Sequence, residues 1–121
     1  MWAYCGSVVG GTEAQRAGIG ASIGGHPDLH VLGGWEKAKG LKEVRHLHPD
    51  VIIYWLDDSQ ADPGRIQALK SACPFTLVIA LVDLSKVSVE TVLEAPIDGC
   101  LRVGTAPRHL RQTIDLVHQP S

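Results

Sequence analysis

Val51-Ile52-Ile53-Tyr54-Trp55-Leu56 is an unbroken apolar run, set between His48-Pro49-Asp50 and an acidic stretch, Asp57 to Gly64, that contains a proline and a glycine. A run this short, bounded this way, reads as a strand buried on both faces, as in parallel sheets covered by helices. Open α/β sheets place their chemistry beyond the carboxyl ends of such strands. A carboxylate or another polar group is the usual equipment there, and this strand ends on an indole, Trp55.

Working outward, four more strands alternate with helices. Tyr4 to Val9 is short and apolar and is broken by Gly10-Gly11. Thr12, followed three residues later by Gln15, forms a capping-box pattern, and Ala14, Ala17, Ile19, Ala21 and Ile23 supply an apolar helical stripe up to Gly24-Gly25. Leu29 to Leu32 predicts a second strand. Glu36 to Leu47 predicts a charged helix with Ala38, Leu41, Val44 and Leu47 inward, weakened by Gly40 by about 1 kcal/mol relative to Ala. After the opening run come a helix over Gly64 to Ala72, a strand over Phe75 to Val82, and a helix over Ser85 to Leu93 rich in β-branched residues. Ile97 to Val103 predicts the fifth strand, and Thr105-Ala106-Pro107 opens a last helix with Leu110, Ile114 and Val117 inward. Five β-α units with buried strands, joined by right-handed crossovers, predict a flavodoxin-like, doubly wound parallel sheet in the order 2-1-3-4-5 with five helices.

Composition bounds the function. A chain of 121 residues suits a single domain over 1–121, with Gln119-Pro120-Ser121 reading as the start of a linker. The net charge of −2 gives no electrostatic footprint for nucleic acid, so no direct nucleic-acid binding is expected. No apolar run approaches the roughly 20 residues of a spanning helix. Cys5, Cys73 and Cys100 are scattered and form no Cys-x-x-Cys pair, which predicts reduced, small core residues in a cytoplasmic protein.

With the strands in place, the sequence resembles a response-regulator receiver (CheY-like) domain from about Cys5 to Val117, most of all the receivers of LuxR/NarL-type transcription regulators. The likeness is carried by Gln15-Arg16-Ala17-Gly18-Ile19, His26-Pro27-Asp28-Leu29-His30-Val31-Leu32-Gly33 and Leu47-His48-Pro49-Asp50-Val51-Ile52-Ile53, and further on by Cys73-Pro74, Asp98-Gly99-Cys100-Leu101 and Gly104-Thr105-Ala106-Pro107. The resemblance implies two acidic residues after the first strand that hold Mg²⁺, and a phosphoryl-accepting aspartate ending the third. It also implies a hydroxyl after the fourth strand and a lysine after the fifth, which together neutralise the transferred charge. Carried over by position, the acidic pair falls on Gly10 and Gly11, the acceptor on Trp55, the hydroxyl on Val82 and the lysine on Val103. None of these has the oxygen or nitrogen the chemistry needs. The resemblance therefore implies a pseudo-receiver: no enzyme, no Mg²⁺ or other cofactor, and signalling through dimerisation or effector docking, within two-component or phosphorelay transcription regulation. Its partner would be a second copy or a helix-turn-helix effector domain, and its output face would include Arg102, Arg108 and Arg111.

Two other readings stand beside this one. In the first, Gly10, Gly11, Trp55, Asp57, Val82 and Val103 line a pocket that senses a small molecule, with Trp55 as a stacking platform. In the second, Asp57, two residues past Trp55, is a displaced phosphoryl acceptor. Asp57, Asp58 and Asp62 otherwise read as loop carboxylates capping the next helix, Glu13 and Asp83 as weak candidates for Mg²⁺, and His46 and His48 as partly exposed histidines at a helix C-terminus.

Overall fold

The structure, a computed structural model, describes residues 4–105 and 107–118. Five strands alternate with five helices: β1 (Tyr4–Val9), α1 (Glu13–Gly24), β2 (Leu29–Trp35), α2 (Lys37–Leu47), β3 (Val51–Leu56), α3 (Asp62–Ala72), β4 (Leu77–Val82), α4 (Val89–Glu94), β5 (Gly99–Arg102) and α5 (Pro107–His118). All pairings are parallel and the order is β2-β1-β3-β4-β5. This is the expected flavodoxin-like architecture. The proposed linker start at residues 119–121 lies outside the described residues.

Strand alternation divides the core into two layers. On one face Val8, Ile53, Trp55, Ile79 and Leu81 pack with Ile23 of α1 and with Leu110 and Ile114 of α5. On the other, Val9, Ile52, Tyr54, Leu56, Val78, Ala80 and Val82 pack with Val44 of α2 and with Ile66 and Leu69 of α3. All six residues of β3 are buried, because both its neighbours are strands and both its faces are covered. Among the buried polar side chains of the described residues, the Ser7 hydroxyl stands out in having no hydrogen-bond partner. Leaving such a group unpaired is costly, so Ser7→Ala is expected to stabilise the protein by about 1 kcal/mol in urea unfolding.

Several boundaries differ from the sequence expectations, each for a local reason. β2 continues past Leu32 to Trp35, because the register slips between Gly6 and Ser7 and pairing then resumes with Gly33. α3 begins at Asp62 rather than Gly64, because the Asp58 carboxylate accepts the amides of Gln60 and Ala61 and turns the chain early. β4 starts at Leu77 instead of Phe75, since Thr76 anchors the turn through its hydroxyl to the Pro49 carbonyl at 2.7 Å. Phe75 is left 94% exposed. Ser85 to Val87 form a turn on Asp83, so α4 starts only after its cap, Ser88. β5 is limited to Gly99–Arg102, because Asp98 spends its carboxylate on the Val78 amide and Lys70.

The inward faces also need correction. Ala14, Ala17 and Ala21 are exposed, and α1 is held mainly through Ile23 and the partly buried Ile19. Ala38, Ala72 and Leu47 are exposed as well. Cys73 is buried, whereas Cys5 is half-buried and Cys100 exposed, so the expectation of three core cysteines holds for Cys73 alone. Gly40 has a purpose beyond weakening its helix: a Cβ there would stand 2.8 Å from Val9 Cγ1, so the glycine lets α2 lie close on β1. The Thr12–Gln15 capping box forms as expected.

Candidate functional site

The carboxyl ends of β1 and β3 meet at Gly10, Gly11 and Trp55. Both glycines have positive φ, 93° and 74°, a turn that few other residues adopt without strain. A Cβ on Gly10 would come within 2.9 Å of Trp55 Cβ, and one on Gly11 within 3.1 Å of the indole atoms Cδ2 and Cε3. The indole thus lies over a bare glycine turn and is only 6% exposed. Arg16 holds the turn from the outside, donating to the Gly11 carbonyl at 2.6 Å.

The other positions expected to share this crevice do not all reach it. The register pairs Trp55 with Leu81 and Leu56 with Val82. Leu81 therefore shares the face of Trp55, while Val82 packs on the opposite face. Val82, the position expected for the hydroxyl, therefore does not face the indole, and neither it nor Leu81 offers a donor. Val103 is exposed past the end of β5, with its amide on the Val82 carbonyl. A cavity of about 380 Å³ lies between α1 and β2, lined by Glu13, Arg16, Val31 and Gly34 among others, and it includes none of Gly10, Gly11, Trp55, Asp57, Val82 or Val103. Of the three arginines, Arg102 and Arg108 are exposed, but Arg111 donates to the Ser22 carbonyl and belongs to the contact between α5 and α1.

The polar part of the site comes from a residue that sequence reasoning passed over. Lys37, in the first turn of α2, runs past Gly10, where a Cβ would meet its Cε at 3.1 Å. Its ammonium donates to Asp57 Oδ1 at 2.5 Å and Asp62 Oδ2 at 2.7 Å, and stands 5.4 Å from the Tyr54 ring centroid. Asp62 is completely buried. It also accepts from the Tyr54 hydroxyl at 2.7 Å, the amides of Asp57 and Asp58, and Arg65 at 3.2 Å. Burial by itself would raise the Asp62 carboxyl, yet hydrogen bonds from Lys37, Tyr54 and the two amides outweigh it and hold the group below the usual carboxylate range. Burial, reinforced by the bond to Asp62, pushes the Tyr54 phenol well above its ordinary value. Asp58 closes the turn ahead of α3 on the amides of Gln60 and Ala61 rather than capping the helix itself, and Asp62 is a buried hub instead of a cap. The only sequence signal was an aspartate at helical spacing before Ile66 and Leu69, which any capping residue shares.

These residues do not fit the divalent metal that the receiver resemblance implies. Glycines stand at the acidic positions, and the nearby carboxylates already take the lysine. Asp83 is held instead by the amide and hydroxyl of Ser85, which set its carboxyl below the ordinary range. Among the described residues, no cluster of three or more His, Cys, Asp or Glu side chains could hold a metal ion. His46 is exposed, while His48 closes α2 at φ 45° with its Nδ1 3.7 Å from the Cys73 sulfur. No helix among the described residues is long and apolar enough to cross a membrane.

Comparison with known proteins places the fold. No protein-family profile and no curated protein sequence matches the chain. Solved structures do. RcsB from Salmonella enterica serovar Typhimurium, bound to promoter rprA in the presence of the phosphomimetic BeF3⁻, superposes with a TM-score of 0.78 at 18% identity, over 93% of this chain and 66% of that one. A two-component response regulator of the LuxR family from Aurantimonas sp. SI85-9A1 gives 0.79 at 14% identity, over 94% and 84%. A putative pilus assembly-related protein from Burkholderia pseudomallei K96243 gives 0.80 at 16% identity, over 95% and 89%. The chain spans 66% of the promoter-bound RcsB chain and 58% of another RcsB chain. Its fold is that of a response-regulator receiver domain, with LuxR-family regulators among its structural neighbours.

Proposed function

We propose that this chain is a phosphorylation-independent pseudo-receiver, a cytoplasmic signalling module of a transcription regulator that acts through protein contacts and catalyses no reaction. One observation carries the reading: the indole of Trp55 lies on the Gly10-Gly11 turn, where a phosphoryl acceptor and its metal ligands would have to stand. An indole accepts no phosphoryl group and two glycines offer no side-chain oxygen. A displaced acceptor at Asp57 is disfavoured because its carboxylate is bonded to Lys37, and the neighbouring Asp62 carboxylate is taken by the same ammonium. Output through contacts, by dimerisation or by docking on a DNA-binding effector domain, is supported by exposed apolar side chains, Val89 and Leu93 on α4 and Leu116 on α5. The test is incubation with acetyl phosphate, or beryllofluoride, together with Mg²⁺. Tryptophan emission and sedimentation are expected to stay as in buffer. A Mg²⁺-dependent shift in either would overturn the reading.

A further inference from the structure

We propose that the Lys37 ammonium is a tethered cation, doing for the loop after β3 the electrostatic work that a divalent metal does in a phosphorylatable site. The inference rests on the pseudo-receiver reading and deepens it, because it says what replaced the metal. Lys37 Nζ bonds carboxylates from two places, Asp57 in the loop after β3 and Asp62 at the start of α3. Bridging two oxygen donors with one positive centre is what a hard cation does at a carboxylate site. Most of the charge is met without a metal: Lys37 and Arg65 bring two positive charges against Asp57, Asp62 and the outlying Asp58, which lies 4.0 Å from Arg65. Coordination is filled as well. Asp62 Oδ2 takes Lys37 and the amides of Asp57 and Asp58, and Oδ1 takes Tyr54 and Arg65. Lys37 thus stands where a cation would have to approach Oδ2, while the other four donors fix the orientation of the carboxylate.

The tether is built into the same glycine turn as the indole. The lysine stem crosses Gly10 on its way to the carboxylates, and the Trp55 Cβ touches the same position. An acidic side chain at residue 10 would collide with both. The metal's ligand, the acceptor and the metal itself are thus replaced together, by glycine, indole and ammonium. The loop after β3 is held in one arrangement whatever the free Mg²⁺.

The test is thermal unfolding of the full chain and of Lys37→Met, each with and without millimolar Mg²⁺ or Ca²⁺ at matched ionic strength. The wild-type midpoint is expected not to respond to either ion. Lys37→Met keeps the stem over Gly10 but leaves two carboxylates facing a vacated site, so its midpoint should fall. Divalent cation should then raise it again by mass action, and a chelator should reverse the gain. Adding Asp57→Asn to Lys37→Met should abolish the response. If Lys37→Met does not fold in buffer, recovery of its fold on adding divalent cation supports the tether, and failure to recover overturns it. A Lys37→Met midpoint indifferent to both ions, or a wild-type midpoint that rises as much, also overturns it. The pseudo-receiver reading fails separately, on a wild-type response that needs acetyl phosphate as well as Mg²⁺.

Discussion

Replacing Asp62 by Asn should destabilise the protein by about 3–5 kcal/mol at neutral pH, the cost of removing one partner from a buried ion pair. The carboxylate has no exposed surface and collects an ammonium, a guanidinium, a phenol and two backbone amides. A neutral amide presents one acceptor oxygen and an NH₂ group, so some of these donors would face another donor. The pH dependence gives a second signature. Because the folded-state carboxyl lies below its ordinary value, its contribution is fully present above the unfolded-state value and is lost as pH falls through the folded one. Wild-type stability should therefore drop on acidification below about pH 4, and the Asn variant should lose less over that interval. Urea denaturation from pH 7 down to pH 3 measures both. Equal stabilities at pH 7 would show that the buried network contributes nothing.

How far the sequence carried depends on which physical signal each feature leaves. β3 was legible to the residue, because a strand buried on both faces must be apolar throughout and Val51 to Leu56 is. The sheet order followed from chain length and crossover rules. Trp55, Gly10 and Gly11 were legible as a group because each falls where the receiver resemblance calls for a polar residue, and their contact is now explicit. Strand ends were less legible: Phe75 is as apolar as a strand residue, but the Thr76–Pro49 anchor that excludes it joins residues 27 apart in the chain. That Val82 packs away from Trp55 was not legible, because an apolar run carries no phase and only the pairing with β3 sets which side chain faces which layer. Lys37 left no signal at all. A lysine in a charged helix ordinarily means a solvated face, and its meeting with Asp57 and Asp62 exists only once α2 and β3 are packed.

Trp55→Ala is expected to cost about 3–5 kcal/mol, as large-to-small changes at buried aromatic positions do. The glycine turn cannot collapse into the space, since Arg16 and the Trp35 carbonyl fix its backbone from outside. Trp55→Asp, which restores the acceptor the resemblance calls for, is expected to be at least as destabilising. Its carboxylate would lie on the face of Leu81 and Ile53, beside two glycines that offer no side-chain donor, with Lys37 already holding Asp57 and Asp62 and Arg16 committed to the Gly11 carbonyl. Burying a charge there is unfavourable unless it is paired, so the variant should take up no phosphoryl group from acetyl phosphate and Mg²⁺, judged by intact mass. If the single change did restore phosphorylation, the glycines, the leucine and the lysine would be incidental neighbours. If it does not, the loss resides in the whole site, because a carboxylate becomes an acceptor only where metal, amine and hydroxyl stand ready to take up the incoming charge.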